Sequence, residues 1–239
     1  MSFEQNLVKE INAVRTNPKE YAKIVKKYIS YFNGKLLDLP GSDGSIETQE
    51  GPAAYTEAID FLSKQKPLEP FEPSKGLGRV AKDYISEVQT INPDELEKID
   101  LDKLIAKHGS FSGNLNRALD FGGETPEQVV VNLLVSDGDP NREQRDSLLS
   151  KDLKKVGVGF GKHDDFKYVT VIISSSKFVN NKDSDDTGFI DGKGSAGNNV
   201  SETRTEKIIT KNGKSKKMIK ITRVLPNGSK ETETFYEDA

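Results

Sequence analysis

The spacing of apolar residues changes along this chain, and that change constrains the fold more than any other feature. Up to about residue 135 apolar side chains recur at helical spacing, whereas Val156–Phe160 and Tyr168–Ile173 are short β-branched runs typical of strands. Helices followed by strands predict an α+β layered domain. The helical stripes start at Phe3, Tyr21, Ala54, Leu77 and Val129.

Two dipeptides, Asn17-Pro18 and Thr125-Pro126, mark where helices should begin. Asn and Thr side chains accept hydrogen bonds from the free N–H groups of a first helical turn, and Pro suits the first helical position. We therefore expect Asn17 and Thr125 to cap helices, with a sharp corner before Pro18. A polar segment from Asn92 to Lys107 has helical spacing only near its end.

The apolar pattern ends after Phe178, and the chain becomes polar and rich in Gly up to residue 200. Three strand-like segments follow, joined at Asn212-Gly213 and Asn227-Gly228, dipeptides that suit tight hairpin turns. The sequence therefore predicts three parts. They are a layered domain over residues 1–178, a flexible acidic and Gly-rich linker over 179–200, and a basic three-stranded β-meander over 201–239.

Cysteine is absent, and the two histidines are His108 and His163. Without Cys the chain has no thiol nucleophile, thiolate metal ligand or disulfide. No apolar run approaches the roughly 18 residues of a membrane span, and the N-terminus lacks the pattern of a signal peptide. We therefore expect a cytoplasmic protein with no transmembrane segment. His163 falls between the two predicted strands, where we expect a solvent-exposed turn.

Three segments of the sequence carry a family resemblance. They are Ile11-Asn-Ala-Val-Arg-Thr-Asn-Pro18, then His108-Gly-Ser-Phe-Ser-Gly with Arg117 downstream, and finally Leu133–Leu149 followed by Val156-Gly-Val-Gly159. In this order they resemble the CAP superfamily in a protist-like, SCP-like variant; the superfamily includes cysteine-rich secretory and plant pathogenesis-related proteins. The resemblance covers roughly the first three-quarters of the chain. It implies a CAP-type α-β-α sandwich, here followed by a small antiparallel β-meander tail.

The resemblance also implies a cavity, which in many CAP proteins holds a metal ion on two histidines and two acidic residues. His108 matches the first histidine, while Gln144 stands in the position of the second, and a neutral amide is a poor zinc ligand. The segment that supplies a cavity carboxylate in the family is missing, which leaves Glu124 as its substitute. We therefore expect a remnant of the cavity, with no metal and no cofactor, formed by His108, Glu124, Gln144 and Arg145. For Arg145, a bond to a carboxylate in the core is favoured over contact with a ligand.

The linker segment Asp183–Asp191 has part of the pattern of a calcium loop, with oxygen donors at alternate positions and Gly188 sixth. Gly194 stands where a bidentate Glu should close the loop. An acidic, flexible linker is therefore the favoured interpretation, with calcium binding as the alternative.

The tail carries eight Lys and Arg residues from Lys207 to Lys230 with no acidic residue between them. Such a block attracts polyanions, although lysines also protect sheet edges against aggregation, and both interpretations stay open. Nucleic acid is disfavoured because the aromatic residues of the tail lie outside the block. Alternate residues of a strand share a face, so we expect a basic surface for an acidic protein partner. Its members are Lys214, Lys216, Lys220 and Lys230.

Together these features predict a non-enzymatic interaction or scaffold module built on a degenerate CAP domain, with a cytoskeletal or ciliary assembly as its suggested setting. Two alternatives belong to other classes of protein. One is a CAP carrier that binds a lipid or sterol. The other is a weak hydrolase that uses His108 with Glu124, although no nucleophile motif accompanies them.

Overall fold

The computed structural model describes residues 1–42 and 44–181 in full, together with the backbone of residues 201–211, 214–224 and 230–238. The chain divides into two compact units, Met1–Ile190 and Asp191–Ala239. The expected calcium loop and both Asn-Gly turns lie outside the described residues. Within the described residues, no helix is both long enough and apolar enough to cross a membrane.

The first unit contains helices on both faces of a four-stranded sheet. The helices are α1 (Phe3–Thr16), α2 (Pro18–Ile29), α3 (Pro52–Lys64), α4 (Lys75–Val88), α5 (Leu101–His108), α6 (Pro126–Val135) and α7 (Glu143–Leu149), with a 3-10 turn at Pro93–Lys98. Short strands β1 (Phe32–Asn33), β2 (Leu36–Leu37) and β3 (Ile46–Glu47) form a small separate sheet. The four-stranded sheet consists of β4 (Glu72–Pro73), β5 (Gly109–Phe121), β6 (Lys155–His163) and β7 (Lys167–Asn180).

The sheet has the order β4-β6-β7-β5, and its two long ladders, β6 with β7 and β7 with β5, are antiparallel. Successive side chains of a strand point to opposite faces, and β7 shows this directly. Val169 and Val171 belong to a core cluster with residues of α4 and α5, whereas Ile172 belongs to a second cluster with residues of α1, α2, α3 and α6. The sheet is therefore the middle of three layers, which confirms the predicted α+β class.

The helix starts follow the sequence prediction, with one exception in how they are capped. Each predicted stripe lies in a helix, Pro18 and Pro126 are first helical residues, and the Thr125 side chain accepts a hydrogen bond from the backbone N–H of Gln128. Asn17 occupies the N-cap position of α2 as predicted, but the expected side-chain capping bond is absent. Its side chain instead donates to the hydroxyl of Thr16 at 3.2 Å.

Strand β5 is an element that the sequence analysis did not anticipate. It is 13 residues long, yet its first half is exposed and contains Ser, Gly and Asn, which are weak strand formers. Its pairing with β7 shifts register between Ser112 and Leu115. The strand exists because its backbone pairs with β7, about 60 residues further along the chain, and not because its own composition favours extension.

The expectation that His163 lies in a solvent-exposed turn is wrong. Its side chain is 3 % exposed, and its ring lies against the rings of Phe121 and Phe166. The Nε2 atom is 3.1 Å from the backbone oxygen of Ile91, and the Nδ1 atom accepts hydrogen bonds from the backbone N–H groups of Asp165 and Phe166. His163 is the last residue of β6, so its ring closes the β6–β7 turn from the inside.

The second unit is the predicted antiparallel meander. It consists of β8 (Ser201–Lys211), β9 (Lys214–Val224) and β10 (Lys230–Asp238). The order is β10-β9-β8, so β9 is the central strand. Lys214 pairs with Lys211 and Val224 pairs with Lys230, which fixes the register of both ladders.

Candidate functional site

A cavity of about 800 Å³ lies in the first unit, beside the end of β5, along α6 and against β2 and β3. Its walls include Leu119, Phe121 and Phe166, and most of its charged lining residues are carboxylates. Among the described lining residues, Lys167 is the only basic one. The acidic lining residues are Glu47, Asp120, Glu124, Asp137, Asp139 and Glu143.

Asp120 is the buried carboxylate of this cavity, with only 6 % of its surface exposed. One carboxylate oxygen accepts a hydrogen bond from the Asn132 side-chain amide at 2.8 Å, and the other accepts one from the backbone N–H of Gly123 at 3.0 Å. These two bonds favour the charged form, but burial outweighs them and raises the pKa of Asp120 to about 7. The carboxyl therefore changes its charge near neutral pH.

Local sequence places the Asp120 carboxyl at the start of α6. The strand β5 ends at Phe121, and Gly122-Gly123 turns the chain towards the Thr125 cap of the helix. A Cβ atom on Gly123 would lie 2.2 Å from a carboxylate oxygen of Asp120, so only Gly allows its N–H to come this close. Asn132 faces the carboxyl from the following helix, two turns after the cap.

The acidic residues at the mouth of the cavity also hold neighbouring segments in place. Asp137 accepts hydrogen bonds from the backbone N–H groups of Gln49 and Glu50 at 2.6 and 2.9 Å. Asp139 accepts one from the backbone N–H of Glu143 at 2.6 Å. Partial burial acts to raise the pKa of Asp139, but its hydrogen bonds outweigh that effect and lower it. Glu124 forms an exposed ion pair with Lys167 at 2.8 Å.

Gln144, which the CAP resemblance puts in the position of a second histidine, lines this cavity. Its side-chain oxygen accepts a hydrogen bond from the backbone N–H of Leu119 at 3.1 Å. Gln144 is the second residue of α7, and its side chain joins that helix to the last residues of β5. Four residues were expected to form the cavity remnant. Two of them, Glu124 and Gln144, line this cavity.

Arg145 is not among the described residues that line the cavity and is 2 % exposed. Its guanidinium donates two hydrogen bonds to the carboxylate of Glu57, one at 2.7 Å and the other shorter, and a third to the backbone oxygen of Leu134. It also lies 4.8 Å from the ring centre of Phe61. The hydrogen bonds that Arg145 donates to the carboxylate of Glu57 lower the pKa of that carboxyl. Arg145 is thus bonded to a carboxylate, as the favoured interpretation held, although the side chain of Glu57 is 45 % exposed and does not lie in the core.

His108 was expected in the cavity, but the structure places it elsewhere. It is the last residue of α5, and its Nε2 atom lies 3.0 Å from a carboxylate oxygen of Asp83 on α4. Strand β5 begins directly after His108 and reaches the cavity only at its far end, which separates the two places by on the order of 30 Å of extended chain. The expected group of His108 with Glu124 and Gln144 therefore does not form.

Asp120 and Asn132 are site residues that the sequence analysis missed. The available signal was a single acid within the apolar run Ala118-Leu119-Asp120-Phe121, directly before Gly122-Gly123. A charge in such a run is unusual because burying it costs free energy unless it is paired or hydrogen-bonded. The partner, Asn132, lies on the next helix and carries no comparable signal.

No group of three or more acidic or His side chains placed to hold a metal ion occurs within the part of the chain that the structure describes. No known protein-family model matches the chain, and no curated protein matches it in sequence.

Proposed function

We propose that the first unit is a CAP-type domain that works as a non-enzymatic binding module, and that its carboxylate-rich cavity takes a cationic organic ligand. The observation that carries the proposal is the lining of the cavity, where six acidic residues face one lysine and Asp120 is buried. Carboxylates that share a concave site attract cations and bind amine or guanidinium groups through charge-assisted hydrogen bonds.

The three-layer arrangement supports the CAP part of the proposal, as do the places taken by the resembling segments. From the first segment, the Asn12 side chain bonds both backbone groups of Phe71 at 2.7 and 3.0 Å. Arg15 is 1 % exposed and donates to the backbone oxygens of Leu148 and Ser150, at the end of the third segment. The first and third segments thus meet through one buried guanidinium.

The two glycines of Val156-Gly-Val-Gly159 allow close packing of a helix on the sheet. A Cβ atom on Gly157 would lie 2.0 Å from the backbone of Leu77, and one on Gly159 would lie 2.7 Å from the backbone oxygen of Ala81. Both glycines therefore let α4 lie directly on β6. This close packing of helix on sheet is consistent with a layered CAP-type sandwich.

The chemistry of the walls narrows the class of ligand. Tyr55, Phe121 and Phe166 provide aromatic surface in the same cavity as the carboxylates. Aromatic faces attract cations as well as apolar groups. A ligand with a short apolar stem and a terminal amine or guanidinium would satisfy both kinds of lining, as the side chains of Lys and Arg in a basic peptide would.

The lipid or sterol carrier stays a second candidate, because the apolar wall residues would also accept an amphiphile. The hydrolase gains no support, since His108 and Glu124 lie at opposite ends of β5. The cytoskeletal or ciliary setting stays a prediction.

The proposal is tested by calorimetric titration with agmatine, which carries an amine and a guanidinium on a four-carbon stem. We expect saturable binding that strengthens as the pH rises through about 7, because the Asp120 carboxyl becomes charged there. Replacing the carboxylate in Asp120→Asn should weaken binding by on the order of ten-fold or more and remove the pH dependence.

Glu20→Gln provides the control, since Glu20 is an exposed residue of α2 paired only with Lys23 at 2.7 Å in the described structure. This variant should bind agmatine like the wild type, and the dianion glutarate should not bind. Equal affinity of Asp120→Asn and wild type would refute the proposal. Retention of a neutral sterol together with failure to bind agmatine would favour the carrier instead.

A further inference from the structure

The register of the second unit sorts its charged residues onto two faces of the three-stranded sheet. Residues directly opposite in an antiparallel ladder share a face, as do alternate residues of one strand. Lys214, Lys216 and Lys220 therefore share a face of β9, and the register adds residues of β8 and β10 to it. The resulting lysine face contains Lys207, Lys211, Lys214, Lys216, Lys220 and Lys230, and Asp238 is its one acidic register position among the described strands.

The opposite face, called here the mixed face, has a different composition. Five glutamates share it with three basic residues, and most of these charges stand opposite a residue of the other sign. Arg223 is paired in register with Glu202 on β8 and Glu231 on β10, and Lys217 is paired with Glu237. At these register positions the mixed face, with five glutamates against three basic residues, is mildly acidic, whereas the lysine face, with six lysines against one aspartate, is strongly basic.

Edge protection does not explain the lysine face. Lysines that guard a sheet against aggregation belong on its edge strands, which are β8 and β10 here. Three of the six lysines, Lys214, Lys216 and Lys220, lie on the central strand β9. The pairing of Lys211 with Lys214 also puts like charges directly opposite each other, which destabilises a sheet. An anionic partner that covers this face would account for both features, because it would offset the repulsion between the lysines.

We propose that the lysine face docks an extended acidic segment of another protein, one with Glu or Asp at alternate positions. The spacing along β9 favours this partner over a membrane. Residues two apart on a strand are separated by about 7 Å, so Lys214, Lys216 and Lys220 occupy multiples of that distance. An extended peptide with alternate acidic residues repeats at the same distance, whereas lipid headgroups have no fixed repeat.

The composition of the face agrees with a protein partner. All six cations are lysines, and five threonines share their face in register: Thr203, Thr205, Thr222, Thr232 and Thr234. Nucleic-acid surfaces combine cations with a set of stacking aromatics, and this face has Tyr236 alone in the described register. Lysine ammonium groups and threonine hydroxyls together suit a row of carboxylates.

The test uses the full chain and a labelled ten-residue peptide of alternating Glu and Thr, followed by fluorescence anisotropy at low salt. We expect the triple variant Lys214→Gln, Lys216→Gln, Lys220→Gln to bind on the order of ten-fold more weakly than the wild type. The matched control is Arg204→Gln, Lys217→Gln, Arg223→Gln, which removes the same charge from the mixed face. It should bind within about two-fold of the wild type.

Two further measurements make the test specific. Lys214→Arg, Lys216→Arg, Lys220→Arg keeps the charge on the lysine face and should restore binding, which separates loss of contact from loss of folding. A peptide with the same composition but its glutamates in one block should bind more weakly than the alternating one. The proposal is overturned if both Gln triples lose affinity equally, if the block peptide binds as well, or if phosphatidylserine vesicles or single-stranded DNA bind more tightly than the peptide.

Discussion

At the scale of the residue, burial of the Asp120 carboxyl couples the stability of the first unit to pH. The pKa of this carboxyl is about 7 in the folded chain, against an ordinary value of 3.8. The native state therefore holds the proton more tightly than the unfolded state does. The stabilisation that this provides is fully present below about pH 3.8 and is lost as the pH rises through about 7.

We therefore expect Asp120→Asn to change how the free energy of unfolding depends on pH. The difference between the two pKa values corresponds to on the order of 4 kcal/mol. Relative to the variant, the wild type should lose about that much stability between pH 4 and pH 8, because only the wild type must bury a charge at high pH. Urea unfolding at several pH values measures this, with Glu124→Gln as an exposed control. Parallel pH profiles for wild type and Asp120→Asn would contradict the expectation.

The burial of His163 could not be predicted from its sequence neighbours. Its neighbours Lys162, Asp164 and Asp165 are all charged, which is typical of an exposed turn. The ring is nevertheless buried, because two backbone N–H groups and one backbone oxygen satisfy its nitrogens. Those partners come from the turn itself and from Ile91, and the latter contact depends on the fold of the whole unit.

At the scale of the element, sequence periodicity predicted the helices well and the long strand β5 not at all. The helices carry their own signal, since each buries a stripe whose spacing the sequence shows directly. The signal for β5 lies in β7, whose pairing and register only the folded chain reveals. The error about His108 followed from this omission, because an unrecognised strand moved it away from the cavity.

The contact between α4 and β6 gives a prediction at this scale. In Gly157→Ala the added methyl group would meet the backbone of Leu77, which cannot move without shifting the helix. We expect a loss of on the order of 3 kcal/mol in the free energy of unfolding. Gly161→Ala on the same strand is the matched comparison, because its methyl group would meet a side-chain methyl of Ile85 and not the backbone of the helix.

Chemical denaturation of both glycine variants separates the two cases. The Gly161→Ala variant should lose clearly less stability than the Gly157→Ala variant. Similar losses would mean that the strand tolerates no side chain at either position, and that backbone contact is not the deciding feature.

At the scale of the whole molecule, the two units differ in what holds them together. The first unit has two core clusters, one on each face of its main sheet, and the last described residue of either cluster is Phe178. The second unit is a single three-stranded sheet. A lone sheet of this size has little apolar surface to bury, which makes it marginal in water without a partner. The proposed functions divide in the same way, with a cavity in the first unit and a docking face in the second.

The last prediction follows from this difference. A chain that ends at residue 181 keeps every described residue of both core clusters, so it should fold without the tail. We expect a cooperative thermal transition within a few degrees of that of the full chain, and unchanged binding of agmatine. Binding of the alternating acidic peptide should be lost. Scanning calorimetry and the two binding assays, run on both proteins, give the answer. A broad, non-cooperative transition in the shorter chain would show that the tail completes the core of the first unit, and peptide binding that survives truncation would move the docking surface to that unit.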